Sequence, residues 1–290
     1  MRLLVALGTG GLLAVGVAAA QLDKPAKPAE SPAVRNTGKP MVLDFECGEE
    51  DIRLAGMSCT PEDACPVYLE LASVEAVGNR IFAAGNIHSS STTLYSVLLS
   101  SDDNGKTWSE PHERVRLAGF DRIQFIDFEN GWVSGEVQHP LPRDPFLMST
   151  TDGGKSWQEQ PIFAEPQFGA IVDFRFSSRT SGHLTIYRGR TGASGQYELY
   201  ETPNAGETWM LRQTSERLIE LMRGDPGANP DWRLRADAAT KSYRIEHLVG
   251  GAWQSIAAFS VSIGACRPPD IPVLPPPPVD GASPAPQKER

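Results

Sequence analysis

The stretch Arg122-Ile-Gln-Phe-Ile-Asp-Phe128 alternates apolar and polar positions with the two-residue period of a half-buried strand. Glu129-Asn130-Gly131 supplies the residues of a turn, and residues 132–137, 145–149 and 157–161 continue as further short strands. The same grouping recurs on both sides. Residues 68–75, 80–86, 93–100 and the stretch from Trp108 read as one set of four strands; 171–176, 183–187, 197–201 and 209–213 read as another. A fourth set comprises 218–222, 232–236, 242–248 and 253–259. Residues 42–45 and 260–263 are left over and free to pair, and no segment carries a convincing helical period.

A local repeat punctuates these sets. Ser101-Asp-Asp-Asn-Gly-Lys-Thr-Trp108 returns as Thr150-Thr-Asp-Gly-Gly-Lys-Ser-Trp157 and as Thr202-Pro-Asn-Ala-Gly-Glu-Thr-Trp209, and Gly250-Gly-Ala-Trp253 reads as a worn copy. The carboxylates of Asp103 and Asp152 and the amide of Asn204 suit a tight turn, where they accept backbone N–H bonds that the bend has left without partners. Gly105, Gly154 and Gly206 fall where positive φ is expected. Thr107, Ser156 and Thr208 add hydroxyls, and Trp108, Trp157 and Trp209 bring large apolar anchors. Tryptophans recurring every roughly 45–50 residues mark a structural repeat. Together these features predict an all-β propeller of about four four-stranded antiparallel blades, or five if the leftover strands make a partial one.

The spacing resembles the Asp-box, or bacterial neuraminidase repeat, of sialidases, sortilin-type receptors and the photosystem II assembly-factor propellers. Phe125-Ile-Asp-Phe-Glu-Asn-Gly-Trp-Val-Ser-Gly135 is similar to the F-x-D-x-x-x-G-W-x-x-G strand pair of the last group. The resemblance covers about three blades, residues 68–213, and it implies that the box is structural and lies away from the active face. Those relatives commonly have more blades than this chain has room for.

The ends of the chain add an address. Met1-Arg2, an uncharged run to Ala20 and the small residues Ala18-Ala19-Ala20 read as a secretory signal over residues 1–20, cleaved between Ala20 and Gln21. An uncleaved anchor is the alternative; otherwise no span remains after processing. Residues 21–40 read as a Pro/Ala/Lys-rich linker, 41–266 as the propeller and 267–290 as a Pro-rich extended tail. Cys47, Cys59, Cys65 and Cys266 form an even set in an exported chain, which points to disulfides with three possible pairings. A short Cys59–Cys65 loop and a long Cys47–Cys266 closure are the expected pairs; Cys-x5-Cys without organised histidines is poor zinc spacing. These features place the chain in the periplasm or outside the cell.

A net charge of −9 with no basic cluster argues against nucleic acid. A sialidase-like glycosidase needs an arginine triad, a Tyr–Glu pair and an acid/base carboxylate. Arg114, Arg122, Arg175, Arg188 and Arg244 are available, but no spacing singles out three, and Tyr243-Arg-Ile-Glu246 has Glu where the sialidase motif has Pro. G-x-S-x-G and H-E-x-x-H are absent, and His88, His112, His139, His183 and His247 are scattered. Asp103 and Asp152 carry too few neighbouring oxygen ligands for a calcium loop. No catalytic, metal or cofactor residue is therefore assigned. Residues 87–93, 139–145, 188–196 and the insert 49–66 are candidate binding surfaces. The expectation is an exported, non-enzymatic scaffold for a protein partner in the envelope or outside the cell, with carbohydrate a possible ligand. A sialidase-like hydrolase and a purely structural envelope protein are the alternatives.

Overall fold

Successive short strands pair as antiparallel hairpins, because each alternates a core-facing and an outward-facing residue. The structure, a computed structural model, describes residues 33–138, 143–189, 195–221 and 229–268. The signal segment with Ala20 and Gln21, most of the linker, nearly all of the tail, His139 and parts of the 139–145 and 188–196 loops lie outside the described residues.

Strands β1 (Val34–Arg35) and β2 (Met41–Leu43) and one helix, α1 (Glu49–Leu54), precede the first sheet. That sheet contains β3 (Cys65–Val77), β4 (Arg80–Ser89) and β5 (Thr93–Ser101), and β6 (Thr107–Trp108) follows. The second sheet is β7 (Ala118–Phe125), β8 (Gly131–Val137), β9 (Arg143–Thr150) and β10 (Gln158–Pro161). The third is β11 (Ala170–Phe176), β12 (Gly182–Tyr187), β13 (Tyr197–Thr202) and β14 (Met210–Ser215). The fourth contains β15 (Trp232–Asp237), β16 (Ser242–Val249) and β17 (Ala252–Val261), and β18 (Ala265–Cys266) follows. On β3 the alternation is visible directly: Val67, Leu69 and Leu71 are buried, while Tyr68, Glu70 and Ala72 face outward. Four such sheets make a β-propeller.

Aromatic side chains fill the seams between sheets. Phe82 of the first sheet stacks on Phe125 of the second at 4.5 Å between centroids, and Trp132 of the second stacks on Phe176 of the third at 3.7 Å. Trp108 meets Phe259 of the fourth sheet edge-on at 5.1 Å. Two buried or half-buried amides imitate strand pairing across the seams. Asn86 Nδ2 donates to Phe120 O at 3.2 Å while its Oδ1 accepts from Phe120 N at 2.7 Å. Gln124 does the same with Phe176, at 3.0 and 2.8 Å. The buried apolar residues among those described fall into three clusters, one for each of these seams, in the order fourth, first, second, third sheet.

The chain ends complete the outer sheets. β2 pairs with β17, with Phe259 opposite Met41 and Val261 opposite Leu43, and this pair is parallel. The leftover residues 42–45 and 260–263 therefore meet, completing the fourth sheet. β18 joins the edge of β3, placing Cys266 opposite Cys65. Disulfides link Cys47 to Cys266, 219 positions apart, and Cys59 to Cys65.

Four expectations are corrected. Residues 218–221 form no strand; the fourth sheet starts at Trp232, because β2 supplies the strand that its own segment lacks. The worn copy at Gly250 consequently sits in the β16–β17 hairpin, one strand earlier than a box, with Trp253 under the Arg233 guanidinium at 4.1 Å. A helix does exist in the 49–66 insert, although six residues are too short to show a period. It is held by Tyr95, whose hydroxyl donates to Asp51 at 2.7 Å, and by Arg116, which reaches Glu50 at 3.0 Å. Finally, Val34–Arg35, within the segment read as linker, pairs with Thr107–Trp108.

Candidate functional site

The three repeated turns bond the side chains at their first, third and seventh positions among themselves. Each first hydroxyl accepts from the glycine N–H four residues on: Ser101 from Gly105 at 2.8 Å, Thr150 from Gly154 at 2.9 Å, Thr202 from Gly206 at 3.0 Å. Asp103 accepts from Lys106 N, Thr107 N and Thr107 Oγ1, and from Ser101 Oγ. Asp152 accepts the equivalent set from Lys155, Ser156 and Thr150, and Asn204 Oδ1 accepts from Thr208 N, Thr208 Oγ1 and Thr202 Oγ1. Gly105, Gly154 and Gly206 have φ of +82°, +83° and +100°, where a side chain is strained.

These bonds register electrostatically. The Thr107 backbone N–H, outweighing burial, holds Asp103 at about 2, helped by the Thr107 and Ser101 hydroxyls and the Lys106 N–H. Burial works to raise Asp152, but bonds from Ser156, Thr150 and Lys155 prevail and its carboxyl lies below the usual range. The turns also tie strands together. Asn104, Gly153 and Ala205 each donate a backbone N–H to the turn between the first two strands of their own sheet, at Asn79, Glu129 and Thr180. Trp108 and Trp157 donate Nε1 to Gly105 O and Gly154 O, both at 3.1 Å. In the third copy Trp209 Nε1 finds no partner, and Trp132 of the second sheet donates to Ala205 O at 3.0 Å instead.

A second set of polar residues lies at the inner edges of the sheets. β3, β7 and β11 each carry a bulge, at Ala72, Asp121 and Val172. A bulge re-aims the side chain at the extra residue. The three bulges surround a cavity of about 370 Å³ that also touches Ser73, Ser134 and the Arg122–Asp173 ion pair joining β7 to β11.

Asp121 on β7 lines this cavity; the Glu70 charge on β3 acts on Asp121, and Asp121 acts on Glu136 on β8. Asp121 is open to solvent yet walled in by protein, and burial first, then the Glu70 charge, raises its carboxyl above the usual range. Glu136 is 8% exposed and is pushed up to about 7 by burial and then by Asp121, against a Gln138 N–H that lowers it. Its Oε1 accepts from Gln138 Nε2 at 2.8 Å, and its Oε2 has no partner. Gln138 is held in turn by Thr93 Oγ1 at 2.6 Å. His88 Nε2 stands 3.7 Å from Glu70, and Tyr68 lies beside His88 with ring centroids 5.7 Å apart. Tyr243 of the fourth sheet is raised by burial and by the Glu70 charge.

Because Glu136 titrates higher folded than unfolded, the folded chain binds the extra proton, and stability falls as pH rises from about 4.5 through about 7. Glu136→Gln removes that penalty. It is expected to stabilise the chain by about 2 kcal/mol at pH 8.5 and by little at pH 5. Urea unfolding at the two pH values checks this; an equal change at both would contradict the buried, coupled carboxyl.

The sequence-level candidates are not brought together. Arg114 faces Glu110 at 2.6 Å, Arg188 faces Glu198 at 3.3 Å, and Arg122 and Arg244 pair with Asp173 and Asp237. Each is matched to its own carboxylate on a different strand or loop, and Arg175 is engaged too. The 87–93 loop is mostly the β4–β5 hairpin, closed by Ser89 N donating to Thr92 O. The carboxyls that do converge escaped sequence reading, since they sit on three strands. Their trace is the pair Asp121-Arg122, two adjacent polar residues where the alternation breaks.

Among the described residues no helix is long and apolar enough to cross a membrane, and the two disulfides fit an oxidising compartment. No protein-family model and no curated protein matches the chain. Among solved structures it is similar to YCF48 bound to D1 peptide, at 19% identity and a TM-score of 0.37 over 68% of this chain and 60% of that one. It is similar to the GH74 xyloglucanase from Xanthomonas campestris at 20% identity and a TM-score of 0.34, over 46% and 18%. It is also similar to the phage phi92 endosialidase at 11% identity and a TM-score of 0.39, over 76% and 50%. The chain thus spans less than two thirds of each of these structures, and likenesses at this level decide nothing about what it binds or acts on.

Proposed function

We propose that this chain is an exported, non-enzymatic binding module, periplasmic or secreted, that engages a partner protein at the inner edges of its sheets. The repeated turns are its masonry. The observation that carries this reading is a contrast in polar groups: the side chains at the first, third and seventh positions of the turns are bonded internally, whereas the bulged inner strands place Asp121 at an open cavity of about 370 Å³. Rigid strands hold such a site in place without any moving part.

Envelope extract from the source organism, passed over the immobilised mature chain, tests it. One partner is expected to be retained by the wild type and by Glu207→Gln in an exposed box position, and lost with Asp121→Asn. Retention unaffected by Asp121→Asn would remove the inner site from the account.

One observation favours a glycosidase as second reading: Asp121 and Glu136 are neighbouring carboxyls, and one is held near neutrality, as a general acid requires. Against it, Arg122 and Arg188 are already matched by Asp173 and Glu198. A fluorogenic glycoside screen is expected to give no turnover; turnover abolished by Glu136→Gln would replace the binding reading.

A further inference from the structure

We propose that the groove at the outer rim between the first and fourth sheets is a docking site for an extended Pro/Ala-rich segment, and that its occupant is the chain's own residues 21–32. This site lies apart from the inner edges and does not depend on the reading given to them.

The groove is a cavity of about 470 Å³. Its floor is apolar: Met41 and Leu43 of β2, Leu99 of β5, Trp108 of β6 and Phe259 of β17 all line it and are buried. Val34 and Val42 line it too, yet stand 43% and 52% exposed. A concave site of this volume, mostly apolar with a few polar groups, is the ordinary form of a binding pocket. Two lengths of chain flank it. β2 is the edge strand of the fourth sheet. Residues 109–114 are tied to β5 at their two ends, by the Ser100–Ser109 bridge and by Ser96 N donating to Val115 O at 3.0 Å. A groove between two such edges suits an extended segment.

The register of β1 names the occupant. Val34 lies opposite Trp108 and Arg35 opposite Thr107, antiparallel, and Asn36 N donates to Lys106 O at 2.8 Å. Traced back from Val34, the chain therefore heads past Ser109 toward Glu110, His112 and Arg114, which line the groove. Asn36 fixes this course. Its Nδ2 donates to Gly105 O at 2.9 Å and to Ile256 O at 2.6 Å, one on each side of the seam. Residues 21–32 lie outside the described residues and are the next upstream. At about 3.1 Å per residue, 27–32 (Lys-Pro-Ala-Glu-Ser-Pro) are long enough to run beside 109–114. Prolines lack an N–H and belong at the edge of a sheet, which is where this groove lies. Charge agrees. Asp44 and Glu113 line the groove without an ion-pair partner among the described residues, and Lys24 and Lys27 are the basic side chains of the incoming segment.

Photo-crosslinking of the mature chain with its disulfides intact tests the assignment. Val42 is replaced by p-benzoylphenylalanine in one variant and His112 in another, each checked for an intact melting transition. Mass spectrometry after illumination is expected to show crosslinks from both positions to residues 21–32 of the same chain. Replacing 21–32 by a Gly/Ser stretch of equal length is expected to lower their yield by roughly tenfold, since a tethered segment without the right side chains visits the groove by proximity alone. Equal yield from the Gly/Ser chain would overturn the proposal, as would the absence of crosslinks to 21–32. Crosslinks chiefly to the 267–290 tail, or between two chains, would give the groove another occupant and overturn it equally. Retention of a partner from extract, compared with Asp121→Asn, reads the inner site alone, so the two readings fail separately.

Discussion

Replacing Cys47 and Cys266 together by alanine is expected to lower the melting temperature by about 10–20 °C, the largest effect of any change short of core deletion. The bond closes a separation of 219 residues, and removing so long a loop constraint costs about 5 kcal/mol in a chain-entropy view. Its position adds to the effect. Cys266 lies on β18, which only pairs with β3 through Ala265 and Cys266, and Cys47 follows β2, which completes the fourth sheet through three residues. Both are short strands that the covalent link keeps in place. Removing the Cys59–Cys65 bond, six positions apart, is expected to cost about 2 kcal/mol. Calorimetry of the two double variants under non-reducing conditions checks the order; a larger loss from the short loop would contradict the role of the long one.

Trp108→Ala is expected to cost about 3–5 kcal/mol, and Trp209→Ala about 1–2 kcal/mol, although both occupy the eighth position of the same repeat. Trp108 is 2% exposed, packs edge-on against Phe259 of the neighbouring sheet and donates to Gly105 O. Its removal opens a cavity in the seam between the fourth and first sheets and takes from Gly105 O one of two donors, leaving the Asn36 amide. Trp209 is only half-buried, and its Nε1 has no partner to lose. Urea unfolding of the two variants measures the difference. Equal costs would mean that sequence position in the repeat, and not packing into a seam, sets each tryptophan's contribution.

The sheets were legible because their signals are local. Alternation at 122–128, turn residues such as Asn130-Gly131 and the recurring Trp-terminated turns each report on a few neighbouring residues. The fourth sheet was misread by one strand because its last strand, Met41–Leu43, comes from some 200 residues upstream in a parallel pair that no local pattern announces. The inner site was illegible for a related reason. Glu70, Asp121 and Glu136 are ordinary polar positions in their own strands, and they become a group only when β3, β7 and β8 are laid side by side. The bulge at Asp121 shows in the sequence as a break in alternation, but nothing local says what the re-aimed carboxyl will meet.

That convergence is most directly tested by a carbon-detected NMR titration of the Glu136 carboxyl in the mature chain and in Asp121→Asn. The expected midpoint is near 7 in the wild type, moving down toward the ordinary carboxylate range once the Asp121 charge is removed. A midpoint near 4.5 in both proteins would mean that the inner strands do not bring these carboxyls together, and the site built on them would fall.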